Sequence, residues 1–291
     1  MKIIRIIPFM ALLAAASLFS LSSNNQKIEK TEAVSTSYRY FISTESKTYG
    51  IEKNPSSTYP STISFDELAK PFVFEEVTGG YKVKNIVSNR YLCHVEDDID
   101  VRFPSTTTNY VSVWSIGVEE EHTYLKSSNN RYLYLYDNST WKVQVDLDST
   151  CYLNIFSVEE SSASFITAMR NIACDDGVTP PATDEWAAAG TAFGELPEPV
   201  RNYLITLPGD KDAADTTVEW ALAKYDYIIG KYLNRTDYPA FIRSTPLTEF
   251  AYSNTIPSFS SVGTNYPIII ATVLVVALSL TSILLIKKKQ K

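Results

Sequence analysis

The chain has 291 residues, 45% hydrophobic and 20% charged, which is enough apolar material for one large or two modest domains and excludes wholesale disorder. Three cysteines exclude a disulfide-dense scaffold and a four-cysteine zinc site, and two histidines, His94 and His122, exclude most histidine-based metal clusters. The net charge of −7 hides a split: both ends are basic and carry no Asp or Glu, which leaves 20 basic against 33 acidic residues between them and argues against nucleic acid as a partner.

Residues 1–22 read as a secretory signal. Lys2 and Arg5 precede an apolar run from Ile6 to Phe19 that is too short to span a bilayer, and Ser20-Leu21-Ser22 supplies a small-residue cleavage pattern. An uncleaved N-terminal anchor is the alternative. Residues 23–37 are polar and read as a flexible lead.

From residue 38 to about 160, Tyr, Val, Thr and Ser dominate in period-2 runs, the signature of strands. This region repeats. Asn89-Arg90-Tyr91-Leu92 returns as Asn130-Arg131-Tyr132-Leu133 after 41 positions, and Trp114-Ser115-Ile116 as Phe156-Ser157-Val158 after 42. Tyr81-Lys82-Val83-Lys84 returns as Tyr124-Leu125-Lys126 after 43. A weaker first copy matches Arg39-Tyr40-Phe41 to Arg90-Tyr91-Leu92, and Phe72 to Glu76 onto Trp114 to Val118. Three units of about 40 residues predict a closed β-trefoil-like domain, with a β-sandwich as the alternative. In the third unit, Tyr132-Leu133-Tyr134-Leu135-Tyr136 alternates strictly, then Asp137 to Thr140 turns the chain into Trp141-Lys142-Val143. A hairpin is expected, with the leucines in the core and the tyrosines on the other face.

Residues 161–243 read as a small helical bundle of about four helices. Phe165, Met169 and Ile172 share a face. Thr183 is placed to cap a helix carrying Trp186 and Phe193, and Pro197-Glu198-Pro199 opens another. The strongest signal starts at Thr216, with Glu219 three residues on as in a capping box. Val218, Leu222, Tyr225, Ile229 and Tyr232 then form one apolar stripe, which predicts exposed Lys224 and Lys231 and an Asp226 reaching water or a cation.

Residues 244–265 are rich in Ser, Thr and Pro and read as a stalk. Tyr266 marks a membrane interface, and Pro267 to Ile286 is an uncharged apolar run of 20 residues, long enough to cross about 30 Å of hydrocarbon. A transmembrane helix at 266–286 and a basic cytoplasmic tail at 287–291 follow, by the lysine bias of inner flanks. The fold class expected is therefore α+β multidomain: a β-trefoil-like domain, a helical module and one transmembrane helix, on a single-pass cell-membrane protein with its ectodomain outside.

Ile172-Ala173-Cys174-Asp175-Asp176-Gly177-Val178-Thr179-Pro180-Pro181 and Ala223-Lys224-Tyr225-Asp226-Tyr227-Ile228-Ile229-Gly230-Lys231-Tyr232 resemble a C-terminal module of surface proteins from wall-less bacteria, the Mollicutes (Acholeplasma-like). That module also precedes one membrane span with a basic tail, and the strand pattern of residues 81–136 resembles β repeats that sit upstream of it. The resemblance covers roughly residues 81–291. It implies an envelope address and an appended role, and it supplies no catalytic residues. The chain departs from the pattern in having no large upstream domain, which leaves function to the β domain or the helical module.

No hydrolase, zinc-protease, P-loop or dinucleotide motif is present. Cys93 and His94 are adjacent in a strand, which aims them at opposite faces and argues against a nucleophile–base pair. The acidic runs Asp97-Asp98-Asp100 and Glu119-Glu120-Glu121 lack EF-hand spacing and read as solvated loops. Cys93, Cys151 and Cys174 are read as free thiols, with a Cys93–Cys151 bridge as the alternative. The expectation is a non-enzymatic protein with no cofactor and no bound metal, whose partners are the bilayer, through one helix, and a glycan or protein ligand. Tyr132, Tyr134, Tyr136 and Trp141 are the candidate ligand-binding residues, because aromatic rings with polar edges stack on sugar C–H faces. A spacer with no specific ligand is the alternative, and a cryptic hydrolase built on acidic pairs is a third reading.

Overall fold

The computed structural model describes residues 30–31, 34–174, 179–232 and 235–247. The expected signal peptide, transmembrane helix and basic tail lie outside these residues, as does most of the stalk. Among the described residues, no helix is long and apolar enough to cross a membrane.

The N-terminal half is built from β1 (Lys30–Thr31), β2 (Arg39–Thr44), β3 (Tyr49–Lys53), β4 (Pro60–Ser64), β5 (Phe72–Val77), β6 (Gly80–Asn85), β7 (Arg90–Tyr91), β8 (Cys93–His94), β9 (Val101–Arg102), β10 (Trp114–Glu119), β11 (His122–Ser127), β12 (Tyr132–Tyr136), β13 (Thr140–Gln144) and β14 (Leu153–Ser157). Six of these close a barrel: β2 pairs β5, β5 pairs β6, β6 pairs β10, β10 pairs β11, β11 pairs β14, and β14 returns to β2. The hairpins β3–β4, β8–β9 and β12–β13 lie between the barrel strands of successive units. The result is a β-trefoil-like arrangement. β1 adds to β10 beyond the barrel, so part of the expected flexible lead is strand.

Ladder register sets the internal equivalence. Phe72 faces Asn85, Trp114 faces Ser127, and Leu153 faces Thr44. Around the barrel the equivalent core residues are therefore Phe72, Trp114 and Leu153, then Ile42, Val83 and Leu125, and in the hairpin layer Ile51, Leu92 and Leu133, all buried. Before each hairpin one residue takes a left-handed backbone: Lys47 (φ 54°), Asn89 (φ 55°) and Asn130 (φ 64°). Leu92 and Leu133 are equivalent, as the repeat predicts. Three alignments shift. The partner of Trp114 is Leu153 rather than Phe156, because the 3-10 turn at Ser149–Cys151 and β14 follow a shorter third unit. Tyr81 matches Thr123 rather than Tyr124, one residue off and thus on the opposite face. Arg39-Tyr40-Phe41 is barrel strand, and the counterpart of Tyr91-Leu92 in the first unit is Gly50-Ile51.

The last barrel strand ends at Ser157, and the chain turns at once into α1 (Val158–Ser161), α2 (Ala163–Asn171), α3 (Thr183–Gly194), α4 (Glu198–Thr206) and α5 (Val218–Tyr232). Phe165, Met169, Trp186, Phe193, Val218, Leu222, Tyr225 and Ile229 are buried as their spacing predicts. α5 is buried nearly all round rather than along one stripe. Lys224, expected in water, is 1% exposed, and its Nζ donates to the Ile172 carbonyl at 2.6 Å. Asp226 meets a cation: Arg243 Nη2 and Nε lie 2.5 and 2.9 Å from its two oxygens. Arg243 also donates to the Leu204 and Leu207 carbonyls at the end of α4, so the segment after α5 straps back across the bundle. The cap of α5 is Thr217, whose Oγ1 accepts from the Trp220 N–H, one residue beyond the expected Thr216. Thr183 is the first helical residue of α3 and makes no side-chain cap.

The helical core extends onto the outer face of the barrel. Strand alternation in β2 sends Tyr40 and Ile42 into the barrel and Phe41 outward, and in β14 it sends Ile155 in and Phe156 out. The outward pair Phe41 and Phe156, with centroids 5.7 Å apart, joins Leu68 and Val158 in one apolar cluster with the helices. Arg39 pins the seam. Its Nε donates to Glu159 at 2.6 Å, and its Nη1 reaches Glu219 at 2.6 Å and the Tyr203 hydroxyl at 3.2 Å. Burial alone would lower the Arg39 pKa, but Glu159, Tyr203 and Glu219 outweigh it and hold the guanidinium above its usual range.

Candidate functional site

The third hairpin carries the predicted aromatic face, and register sorts its members. Leu135 pairs with Trp141 across β12–β13, so Trp141 shares the leucine side. It is 1% exposed within the barrel core and is not part of the tyrosine face. Tyr132 is also buried, packed edge-on to Tyr124 at 5.4 Å and beside Cys151. Tyr134 is half-buried against the same small cluster, where burial raises the pKa of its hydroxyl. Tyr136, at 45% exposure, is the open member, and the Lys142 ammonium sits 4.3 Å from its ring centre. The face is thus mostly packed. The repeat fixes Leu133 in the core, but the sequence carried no signal that Cys151 and Tyr124 would cover Tyr132.

On the other side of the hairpin, the Leu135 side, lies a depression of about 250 Å3. It forms where the β12–β13 tip, the β2–β3 turn and the Ser149–Cys151 turn converge. Its polar lining residues are Thr44, Glu45, Ser46, Asn138, Ser149 and Thr150, and Leu135 and Tyr152 are its apolar members. The Tyr152 ring is held firmly. It stacks on His122 with centroids 4.3 Å apart and planes 5° from parallel, and its hydroxyl donates to Glu119 at 3.1 Å. Glu45 pairs with His122 Nδ1. The Glu45 N–H donates to the Tyr152 carbonyl at 3.1 Å, which ties the first unit to the third at the rim. Asp137 and Asn138 take left-handed backbone at the hairpin tip, at φ 50° and 54°, where Asn and Asp are tolerated best. Thr62 Oγ1 donates to the Ser139 carbonyl at 2.7 Å and anchors the tip to the first hairpin.

The other chemical candidates are committed to structure. Cys93, Cys151 and Cys174 are free and buried. Burial pushes the Cys93 thiol up to about 12, so it carries no thiolate at neutral pH. His94 is fully buried, its Nδ1 against the Val95 carbonyl at 2.8 Å and its Nε2 against Asn129 at 3.1 Å; burial lowers its pKa more than these bonds raise it. Glu120 and Glu121 form the β10–β11 turn, and Asp98 and Asp100 lie 3.8 and 3.7 Å from Arg102. Among the described residues, no cluster of His, Cys, Asp and Glu could hold a metal ion.

No protein-family model and no curated protein matches the chain. Among solved structures, the chain is similar to a Polyporus squamosus lectin bound to the human-type influenza-binding epitope Neu5Aca2-6Galb1-4GlcNAc. Identity is 16% and the TM-score 0.37, over 66% of this chain and 77% of that one. A likeness at that level transfers neither ligand nor residues.

Proposed function

We propose that this is a membrane-anchored extracellular surface protein, non-enzymatic, whose β domain binds a glycan in the depression between Asn138, Glu45 and Tyr152. The carrying observation is the composition of that depression: residues with hydroxyl, amide and carboxylate side chains line it beside one ring that is held by a stack and a hydrogen bond. Sugars present hydroxyls at their edges and C–H groups on their faces, and this lining answers both. The size suits a single terminal sugar ring, since about 250 Å3 falls just below the ~300–1,000 Å3 of drug-sized pockets. Anchoring is supported by the lysine-flanked apolar run at 267–286 and the signal-like start, and the envelope address also by the Mollicutes-like module.

The test is a glycan array probed with the full chain in detergent, followed by titration calorimetry on the best ligand. Asn138→Ala and Glu45→Gln are expected to weaken binding at least tenfold each. Tyr136→Ala, on the opposite side of the hairpin, is expected to leave it within twofold. An array with no ligand above background would leave the spacer reading; a loss with Tyr136→Ala alone would move the site to the tyrosine face.

A further inference from the structure

A second cavity lies at the seam rather than at the hairpins. It is a cleft of about 800 Å3 bounded by Tyr38 and Arg39 at the start of the first unit, by α1 and α2, and by the first residues of α5. Its size and its place between two structural units are those of ligand sites. The floor is satisfied: Arg39 consumes both Glu159 and Glu219. Two exposed charges of the lining, Glu160 and Arg170, make no ion pair among the described residues. They lie ten positions apart on α1 and α2, which run nearly continuously: the Ser162 N–H donates to the Val158 carbonyl at 3.0 Å and the Ile166 N–H to the Ser162 carbonyl at 2.9 Å. At about 1.5 Å per residue, the two charges are separated by about 15 Å along the axis. Between them the lining carries the small side chains of Ala163 and Thr167, both exposed, with the partly exposed Tyr38 ring as its apolar side.

We propose that this cleft binds an extended peptide segment of a partner protein, about five or six residues long, with a basic side chain at Glu160 and an acidic one at Arg170. An extended strand rises about 3.3 Å per residue, so that length matches the spacing of the two charges. The opposite signs at the two ends impose a direction on the peptide, and charge complementarity of this kind selects partner and register more than it adds affinity.

The test uses the full chain and fluorescein-labelled peptides of sequence Lys-Ser-Thr-Ser-Glu, its reverse, and versions with both ends basic or both acidic, read by anisotropy at low salt. The Lys-to-Glu peptide is expected to bind best. Glu160→Gln and Arg170→Gln should each weaken it about two- to fivefold, the range of exposed ion pairs. The double exchange Glu160→Arg with Arg170→Glu should invert the preference toward the reversed peptide. Both positions are exposed, so an unchanged melting temperature will show that the fold is intact. Equal binding of all four peptides, no binding of any, or a double exchange that fails to invert the order would overturn the proposal. Glu45→Gln, which removes a group from the glycan site, should leave peptide binding unchanged, so the two readings fail separately.

Discussion

Among the differences between the first unit of the barrel and its two repeats, one pair of cross-strand positions lies beside the helices. In the second unit Lys84 pairs with Tyr91, and in the third Lys126 pairs with Tyr132. The first unit has Ser43 opposite Gly50. In the second unit Tyr91 donates to Glu75 at 2.7 Å on the barrel surface, and in the third Tyr132 packs under Tyr124. In the first, a Cβ on Gly50 would stand 2.2 Å from Leu68 Cδ1, and Leu68 is fully buried in the cluster shared with the helices. The first unit thus carries no Lys–Tyr pair at this position, and Leu68 occupies the space beside Gly50 in the cluster shared with the helices.

The largest expected effect lies at the seam. Arg39→Ala leaves Glu159 and Glu219 without their cation in a partly buried setting, and should cost about 3 kcal/mol in chemical denaturation, at the lower end of the range for broken buried pairs. Arg90, in the second unit, makes a single donation to the Phe103 carbonyl at 3.2 Å, so Arg90→Ala should cost well under half as much. Equal losses would show that the seam contributes nothing specific.

Gly50→Ala should destabilise by about 1–3 kcal/mol, because Leu68 and the turn at Phe65–Glu67 must shift under α4. The reverse substitution in the second unit, Tyr91→Gly, should leave the helices docked. Fluorescence of Trp186 and Trp220 would report helix undocking in the first variant and not in the second.

A smaller effect is expected at the strand tips. The β5–β6 turn places Gly79 at φ 90°, whereas the equivalent β10–β11 turn asks Glu120 and Glu121 to adopt φ 51° and 82°. That conformation suits Asn-Gly, so the double change Glu120→Asn with Glu121→Gly should stabilise by about 1 kcal/mol in thermal melts. An unchanged or lower melting temperature would show that the Glu pair is not strained.

The smallest effect is a slope with pH. His94 occupies the position that Leu135 holds in the third unit, and burial lowers its pKa from 6.5. The unfolded chain therefore takes up a proton first, so this contribution to stability is complete above about pH 6.5 and declines as the pH falls below it. His94→Leu should remove that decline between pH 6.5 and 5, whatever its cost at neutral pH. A parent protein with flat stability over that range would contradict the assignment.

Much of the β domain was legible because it is written as repetition. Leu92 and Leu133 recur with their flanking Asn-Arg-Tyr, and strand alternation puts both leucines on the inward side. The ends of the helices were legible within a residue or two, since Pro199 and the apolar stripe of α5 depend on local spacing. The identity of the hairpin faces was only half legible. Alternation separates Leu133 from Tyr132 and Tyr134, but whether Trp141 joins the leucines or the tyrosines depends on the cross-strand register, which the three-residue turn at Asp137 to Ser139 sets.

By itself the sequence determined the three strand-rich repeats, the helical half after about residue 160 and the burial of the repeated leucines, because strand and helix periodicity are properties of neighbouring residues; closure of the barrel came from the strand pairings. Only the tertiary structure decided that Lys224 is buried against the Ile172 carbonyl, that Glu219 serves Arg39 rather than its own helix start, and that the polar depression gathers Glu45, Asn138 and Tyr152 from distant segments. These outcomes depend on which face of the barrel the helices cover, and that choice rests on contacts between residues more than 100 positions apart, such as Arg39 with Glu159. No local pattern encodes a contact of that range, since the side chains that make it are ordinary polar residues until the barrel and the bundle meet.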